Sequence, residues 1–222
     1  MTYPSNIDGW TRADAVTEEM KAIRDDIAFM RALAEEGRQA PLLGGSMLVS
    51  AGAIFGTASI FQWAILTKVL HLPSVALMVV WVVALVLHMI MIIVLKRGIN
   101  TKPGAGSSGN RATRNAWMGV SWGCFVIFFA LGVACWKTRD INLINFSPSI
   151  ILALYGAAWS VAAAMSRATW LKFVAIASFA GAVLMAALMG STWIWLAYAA
   201  ELYLLAMVPG LVLMRQEPSD IV

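Results

Sequence analysis

Glu201 is the residue whose type and position point most directly to chemistry: it is a lone carboxylate inside a long apolar run. It lies about nine residues from the outer end of that run, hence roughly 13 Å deep at about 1.5 Å per helical residue. An ionised carboxylate at such depth in hydrocarbon is costly unless it is paired, hydrated or protonated. A carboxyl that can take up a proton or hold a cation there is what a transport pathway requires; a protonated Glu bonded to a neighbouring helix is the structural alternative. Tyr198 occupies the adjacent turn on much the same helical face. Counting residues inward from the outer ends of other apolar runs brings Gln62, Tyr155, Ser160 and Ser178 to depths that bracket Glu201. The expected ion- or substrate-binding group is therefore Glu201, Tyr198, Gln62 and Tyr155, with Ser160 and Ser178 as weaker members.

His88 is the one histidine within an apolar run. It sits nearer the other end of its helix than Glu201 does, so it reads as a proton relay at a distance or as a hydrogen-bonded structural group. A bridging haem would ordinarily need a second ligand, and His71 lies in an outer loop; no cofactor is expected. Gly104, Gly106 and Gly109 spell a G-x-G-x-x-G pattern, but dinucleotide binding needs a preceding strand, and here an apolar span precedes. Lys102, Arg111 and Arg114 beside it could instead meet lipid phosphate. Cys124 and Cys135 share one run and cannot bridge to each other within a straight helix. No Ser/His/Asp order, H-E-x-x-H, Walker loop or paired C-x-x-C occurs, which disfavours an enzyme and a metal site.

The elements that must carry these groups are six apolar runs, about 46–68, 75–95, 115–136, 149–166, 170–189 and 192–214. About 20 apolar residues are needed for a helix to cross roughly 30 Å of hydrocarbon. Backbone polar groups must pair internally there, so the spans are helices. The chain is 60% hydrophobic and 13% charged, half the usual charge of a soluble domain. The fold class is thus an all-α membrane protein, six transmembrane helices preceded by an amphipathic cytoplasmic helix. Residues 1–45 form the N-terminal helix and linker, 46–214 the transmembrane domain and 215–222 a tail. No signal peptide precedes the first span, which then serves as a retained anchor.

Of 16 Lys and Arg residues, only Lys68, Lys137 and Arg139 fall on one side of the alternating topology. The positive-inside rule then places both termini in the cytoplasm, and a bacterial inner membrane is the expected location. The net charge of +4 is a topology signal, with no aromatic-interleaved basic groove for nucleic acid.

Residues about 11–37 read as a helix that Thr11 or Asp14 could cap and Gly37 could end. Val16, Met20, Ile23, Ile27, Met30 and Ala34 recur at alternating spacings of 4 and 3, an a/d seam, with Phe29 and Leu33 widening the stripe. The seam suits a coiled coil between subunits or packing on the protein's own cytoplasmic face; lying flat on the lipid surface fits it less well, because the polar face is mixed rather than mainly basic, and a cytoplasmic protein partner could also use it. Lipid provides no hydrophobic drive for helix association, so small residues should mark close contacts: Gly52 and Gly56, Gly119 and Gly123, Gly156 with Ser160, and Ala177 with Gly181. Pro209 cannot donate to the Leu205 carbonyl, which predicts a kink. Trp117, Trp136, Trp170, Trp193 and Trp195 fit interfacial belts, whereas Trp63, Trp81, Trp122 and Trp159 lie deeper. Composition also permits two inverted halves of three consecutive spans. These features together lead to an expected homo-oligomeric channel or transporter in the lipid bilayer for a proton, cation or small solute. The alternative is a membrane regulator or accessory subunit that recruits a partner through its N-terminal helix.

Overall fold

The computed structural model describes the backbone of residues 8–39, 41–166 and 168–217, and the side chains of 16–31, 41–166 and 168–217. The chain divides into two units, Met1–Gln39 and Ala40–Val222. The first contains one helix, α1, Asp8–Gln39. It begins before Thr11 and Asp14 and runs past Gly37, so these residues lie within the helix rather than at its ends. The side chains of Thr11, Asp14, Leu33 and Ala34 lie outside the described set.

The second unit is helical throughout its spans, and the described residues contain no strand. Its helices are α2 (Gly45–Leu66), α3 (Val75–Thr101), α4 (Ser108–Thr138), α5 (Ser147–Met165), α6 (Trp170–Ala187), α7 (Ile194–Leu202) and α8 (Val208–Gln216). A 3₁₀ turn, Ile141–Phe146, leads into α5, and a π-helical turn, Tyr203–Met207, joins α7 to α8 as one continuous sixth span. Six of these stretches are long and apolar enough to cross a membrane.

Packing groups the spans as two trios. α2 lies along α3 and the whole sixth span, and α5 lies between α4 and α6. The trios are therefore the first, second and sixth spans, and the third, fourth and fifth. This corrects the division into consecutive halves, which would have kept the sixth span with the fourth and fifth. The reason is close backbone approach. A Cβ on Gly45 would sit 2.5 Å from the Gly210 carbonyl oxygen, one on Gly52 2.7 Å from the Met207 nitrogen, and one on Gly56 3.0 Å from the Tyr203 ring. Three glycines one turn or two apart thus let α2 lie flush against the sixth span, which small residues make favourable without any hydrophobic drive. Gly119, by contrast, has open space around it.

The two trios meet along the sixth span. Pro209 has no N–H to offer the Leu205 carbonyl, and the buried Trp159 indole N–H of α5 donates to that oxygen at 3.0 Å. The expected irregularity appears one turn earlier as the π-helical turn, where Val208 N–H donates to the Tyr203 carbonyl five residues back. Trp117 and Trp195 face protein neighbours rather than the outside. Trp117 packs edge-on to Tyr155 and Trp159, with centroids 5.1 Å away in each case, and Trp195 is buried. Trp136 and Trp193 remain exposed, as headgroup anchors should.

A polar clasp closes one end of the second unit. The Glu217 carboxylate accepts from Gly44 N–H at 3.0 Å and Gly45 N–H at 2.9 Å, and pairs with Lys102 Nζ at 2.7 Å. Gly44 makes this turn with φ at 103°, a left-handed conformation that costs glycine little. Asn110 completes the clasp. Its Nδ2 donates to the carbonyls of Pro41 and Gly104, at 2.9 Å and 3.0 Å, and its Oδ1 accepts from Leu43 N–H at 2.8 Å. Lys102 is thus engaged by a carboxylate, which leaves Arg111 and Arg114 as the lipid-phosphate candidates of that loop.

The Trp159–Leu205 bond makes a cycle of variants informative. Trp159→Phe should cost about 1 kcal/mol, since a buried acceptor loses its donor. In a Pro209→Ala background the backbone N–H is restored, and the same substitution should cost clearly less. Reversible unfolding in bicelles measures both, and equal costs in the two backgrounds would remove the assigned pairing.

Candidate functional site

The sixth span positions Glu201, and its local sequence explains how. Ile194, Trp195, Tyr198, Ala199 and Leu202 form the buried face of α7. Glu201 flanks that face and is half-buried, beside the exposed Ala200 and Leu204. Its carboxyl group rests on α6 at Gly181, where a Cβ would lie 3.0 Å from Oε2 and 3.1 Å from the carboxyl carbon. Gly181 therefore provides the recess that admits the acid between α6 and α7. Among the described residues, the carboxylate has no hydrogen bond and no ion pair.

Glu201 and Leu205 are four residues apart on one face, and both face the other trio: Glu201 meets α6 and Leu205 is bonded by α5. The acid thus lies on the joint between the two trios. A carboxyl group held against apolar helix, without a donor from the protein, has to be neutralised by a proton or a cation, or meet a group from outside the chain.

The remaining expected members of the site do not hydrogen-bond to it. Tyr198 is buried with its ring edge-on to Trp195 at 6.3 Å. Tyr155 is buried in the aromatic cluster with Trp117, and Tyr155 and Tyr198 belong to the same buried core. The two tyrosines are therefore brought together. Gln62 is turned to a different neighbour: its Oε1 accepts from the indole N–H of Trp81 on α3. Ser160 Oγ donates to the Gly156 carbonyl and Ser178 Oγ to the Val174 carbonyl, both at 2.8 Å within their own helices. Depth matching alone could not distinguish these local bonds from convergence on Glu201, because serine in an apolar helix readily satisfies itself one turn back.

His88 packs edge-on to Phe55 of α2, with ring centroids 5.0 Å apart, and its Nδ1 is buried without a partner. It stands on the α2–α3 contact, and among the described residues no hydrogen bond or ring contact links it to Glu201. The seam residues Val16, Met20, Ile23, Ile27 and Met30 are all exposed along α1. Two surface depressions of about 350 and 390 Å³ border Gly132 and Trp136 at the end of α4, with Cys135, Arg139 and Ile141 lining the first. Neither involves Glu201. No group of three or more His, Cys, Asp or Glu residues able to hold a metal occurs among the described residues.

Sequence reasoning missed the clasp of Glu217, Asn110 and Lys102. The signal was weak: one carboxylate and one amide in loops otherwise rich in Lys and Arg. It also missed Trp159 as a donor, although Pro209 announced an acceptor in need of one.

Gly181→Ala tests the packing at Glu201. An alanine in a helix ordinarily gains up to about 1 kcal/mol over glycine. Here the added methyl meets the far end of the Glu201 side chain at 3.0 Å, so the carboxyl must shift by a few tenths of an ångström and that gain should be lost. In a Glu201→Ala background the gain should return. Unfolding of the four proteins in bicelles gives the coupling, and additivity of the two changes would place the carboxyl elsewhere.

No family model matches the chain, and neither a curated protein nor a solved structure shows significant similarity to it.

Proposed function

We propose that this multi-span membrane protein moves a proton or small cation, with Glu201 as the group that binds it. The carrying observation is the placement of Glu201: half-buried, seated on Gly181, and without a protein donor at the joint between two helical trios. An ion or proton is the simplest occupant for such a carboxyl in hydrocarbon. The joint also suits movement. The π-helical turn beside the joint is a place where helix geometry can change with little loss of bonding. Tyr198 and Tyr155 flank the joint as buried hydroxyls, positioned to orient an occupant; Gln62, bonded to Trp81, supports α3.

A second reading, a regulator that recruits a cytoplasmic partner, draws on a separate observation, the exposed apolar seam of α1. Charged substitutions at Ile23 and Ile27 that abolish capture of such a partner, with the membrane body intact and no flux in the wild type, would favour it.

The transport reading is tested by proton and monovalent-cation flux in liposomes across pH. Glu201→Gln keeps the shape but cannot ionise, and should lower flux by on the order of tenfold or more and flatten its pH dependence. Glu201→Asp should retain part of the flux. Equal flux and pH dependence in Glu201→Gln and wild type would remove Glu201 from the pathway.

A further inference from the structure

We infer that α1 joins copies of this chain to one another, in parallel and in register, through its apolar seam. Val16, Met20, Ile23, Ile27 and Met30 are between 41% and 62% exposed, which is the wrong state for a continuous a/d stripe unless another helix covers it. The flanking charges say which helix. With Met20 and Ile27 at a positions and Val16, Ile23 and Met30 at d positions, the g positions are Glu19 and Asp26 and the e positions Arg24 and Arg31.

In a parallel pair, a g residue faces the e residue five places on in the partner. Glu19 then faces Arg24 of the second copy, and Asp26 faces Arg31. All four contacts across the two strands are attractive. In an antiparallel pair, g faces g and e faces e, so acids would meet acids and arginines would meet arginines. Among the described residues none of these four has an ion pair, and the one salt bridge is Lys102–Glu217. They are exposed, as residues that pair with a second copy must be.

Connectivity favours the same arrangement. α1 ends at Gln39 and α2 begins at Gly45, so in copies that share a membrane orientation every α1 is tethered at its C-terminal end close to the bilayer. A seam of about two and a half heptads is marginal for free peptides, since short helices in water are weak. Tethering in one bilayer raises the effective concentration and makes a short seam sufficient. Val16 and Ile23 are β-branched residues at d, which shifts preference from two strands toward three or four, with the same g-to-e contact between neighbouring strands. The inference stands independently of Glu201 and of any flux.

The test is disulfide trapping of the full chain in membrane vesicles, with Cys124→Ala and Cys135→Ala as background. Ile23→Cys at a d position should form a self-linked dimer on the order of tenfold faster than Lys21→Cys on the outer face, because only facing d positions come within disulfide reach. Glu19→Arg with Asp26→Arg should abolish trapping at position 23. Arg24→Glu with Arg31→Glu should do the same alone. Co-expression of the two charge-reversed chains should restore trapping, now between unlike chains. These side chains are exposed, and an unchanged melt of each variant shows that the membrane body is folded. Equal rates at positions 21 and 23, no recovery on co-expression, or a link to a different polypeptide would each overturn the inference.

Discussion

Pro209 leaves the Leu205 carbonyl without the N–H that an uninterrupted helix would supply, and Trp159 brings an indole N–H into a place where no water can serve it. Each group alone would be a costly orphan in hydrocarbon. Bonded at 3.0 Å, they satisfy each other and tie α5 to the sixth span. This contact carries further consequences. It sets the rotation of the sixth span, because Leu205 must face α5. Glu201, one turn earlier on that face, is then directed at α6, and Gly181 is where the chain makes room for it. The opposite face presents Met207 and Tyr203 to the glycines of α2, with the Tyr203 hydroxyl 2.9 Å from Thr57 Oγ1. One proline thus links the irregular turn, the inter-trio bond and the orientation of the membrane-embedded acid.

The polar groups of the second unit divide into those that the protein satisfies and those that it does not. Asn110 and Glu217 answer exposed backbone N–H and C=O groups around Gly44, where the chain enters the first span. The serines of α5 and α6 return to their own helices, and Gln62 is matched to Trp81. Against that background of completed bonds, the Glu201 carboxylate stands apart together with His88 Nδ1, Trp63 Nε1 and Thr113 Oγ1, which are buried without a partner among the described residues. Of these groups the carboxyl is the one that can exchange a full negative charge for a bound proton or cation. That chemistry, together with the lack of a partner, is what supports the proposal of a mobile occupant at Glu201.

Much of the fold was legible because a bilayer constrains it so strongly. Run length and the ban on unpaired backbone define six helices, and their ends fall within a few residues of expectation except where α3 and α4 extend beyond the apolar core. The glycines of α2 marked a real contact, but the partner was not readable, since a small residue says that something approaches without saying what. Depth along a helix was readable from position, whereas azimuth was not. That is why Ser160 and Ser178 matched Glu201 in depth and still bonded elsewhere. The Trp117 and Trp195 rings illustrate the same gap: position near a span end suggested a headgroup contact, while their facing directions placed them inside.

Azimuth and neighbours do leave one trace in composition, and it runs against soluble-protein intuition. α3 has the highest mean hydropathy of the spans, 3.0, yet only 6% of its most apolar window is buried by protein. α2 and the stretch Ile141–Met165 have 1.5, and half of that window is buried. In water the most apolar helix would be the innermost. In a bilayer the surroundings are as apolar as leucine, so hydropathy rewards contact with lipid, and protein contact is made by Gly, Ala and Ser that let backbones approach. The spans with the small residues therefore form the centre, and the Val-, Leu- and Ile-rich α3 lies at the edge. α4 follows the same rule through aromatics: Trp122, Phe125 and Phe129 are all more than half exposed along one face. Ranking the spans by hydropathy thus separates lipid-facing from central helices before any coordinates exist, and it places Glu201 on a central span, where a carboxylate can be sheltered and still reached.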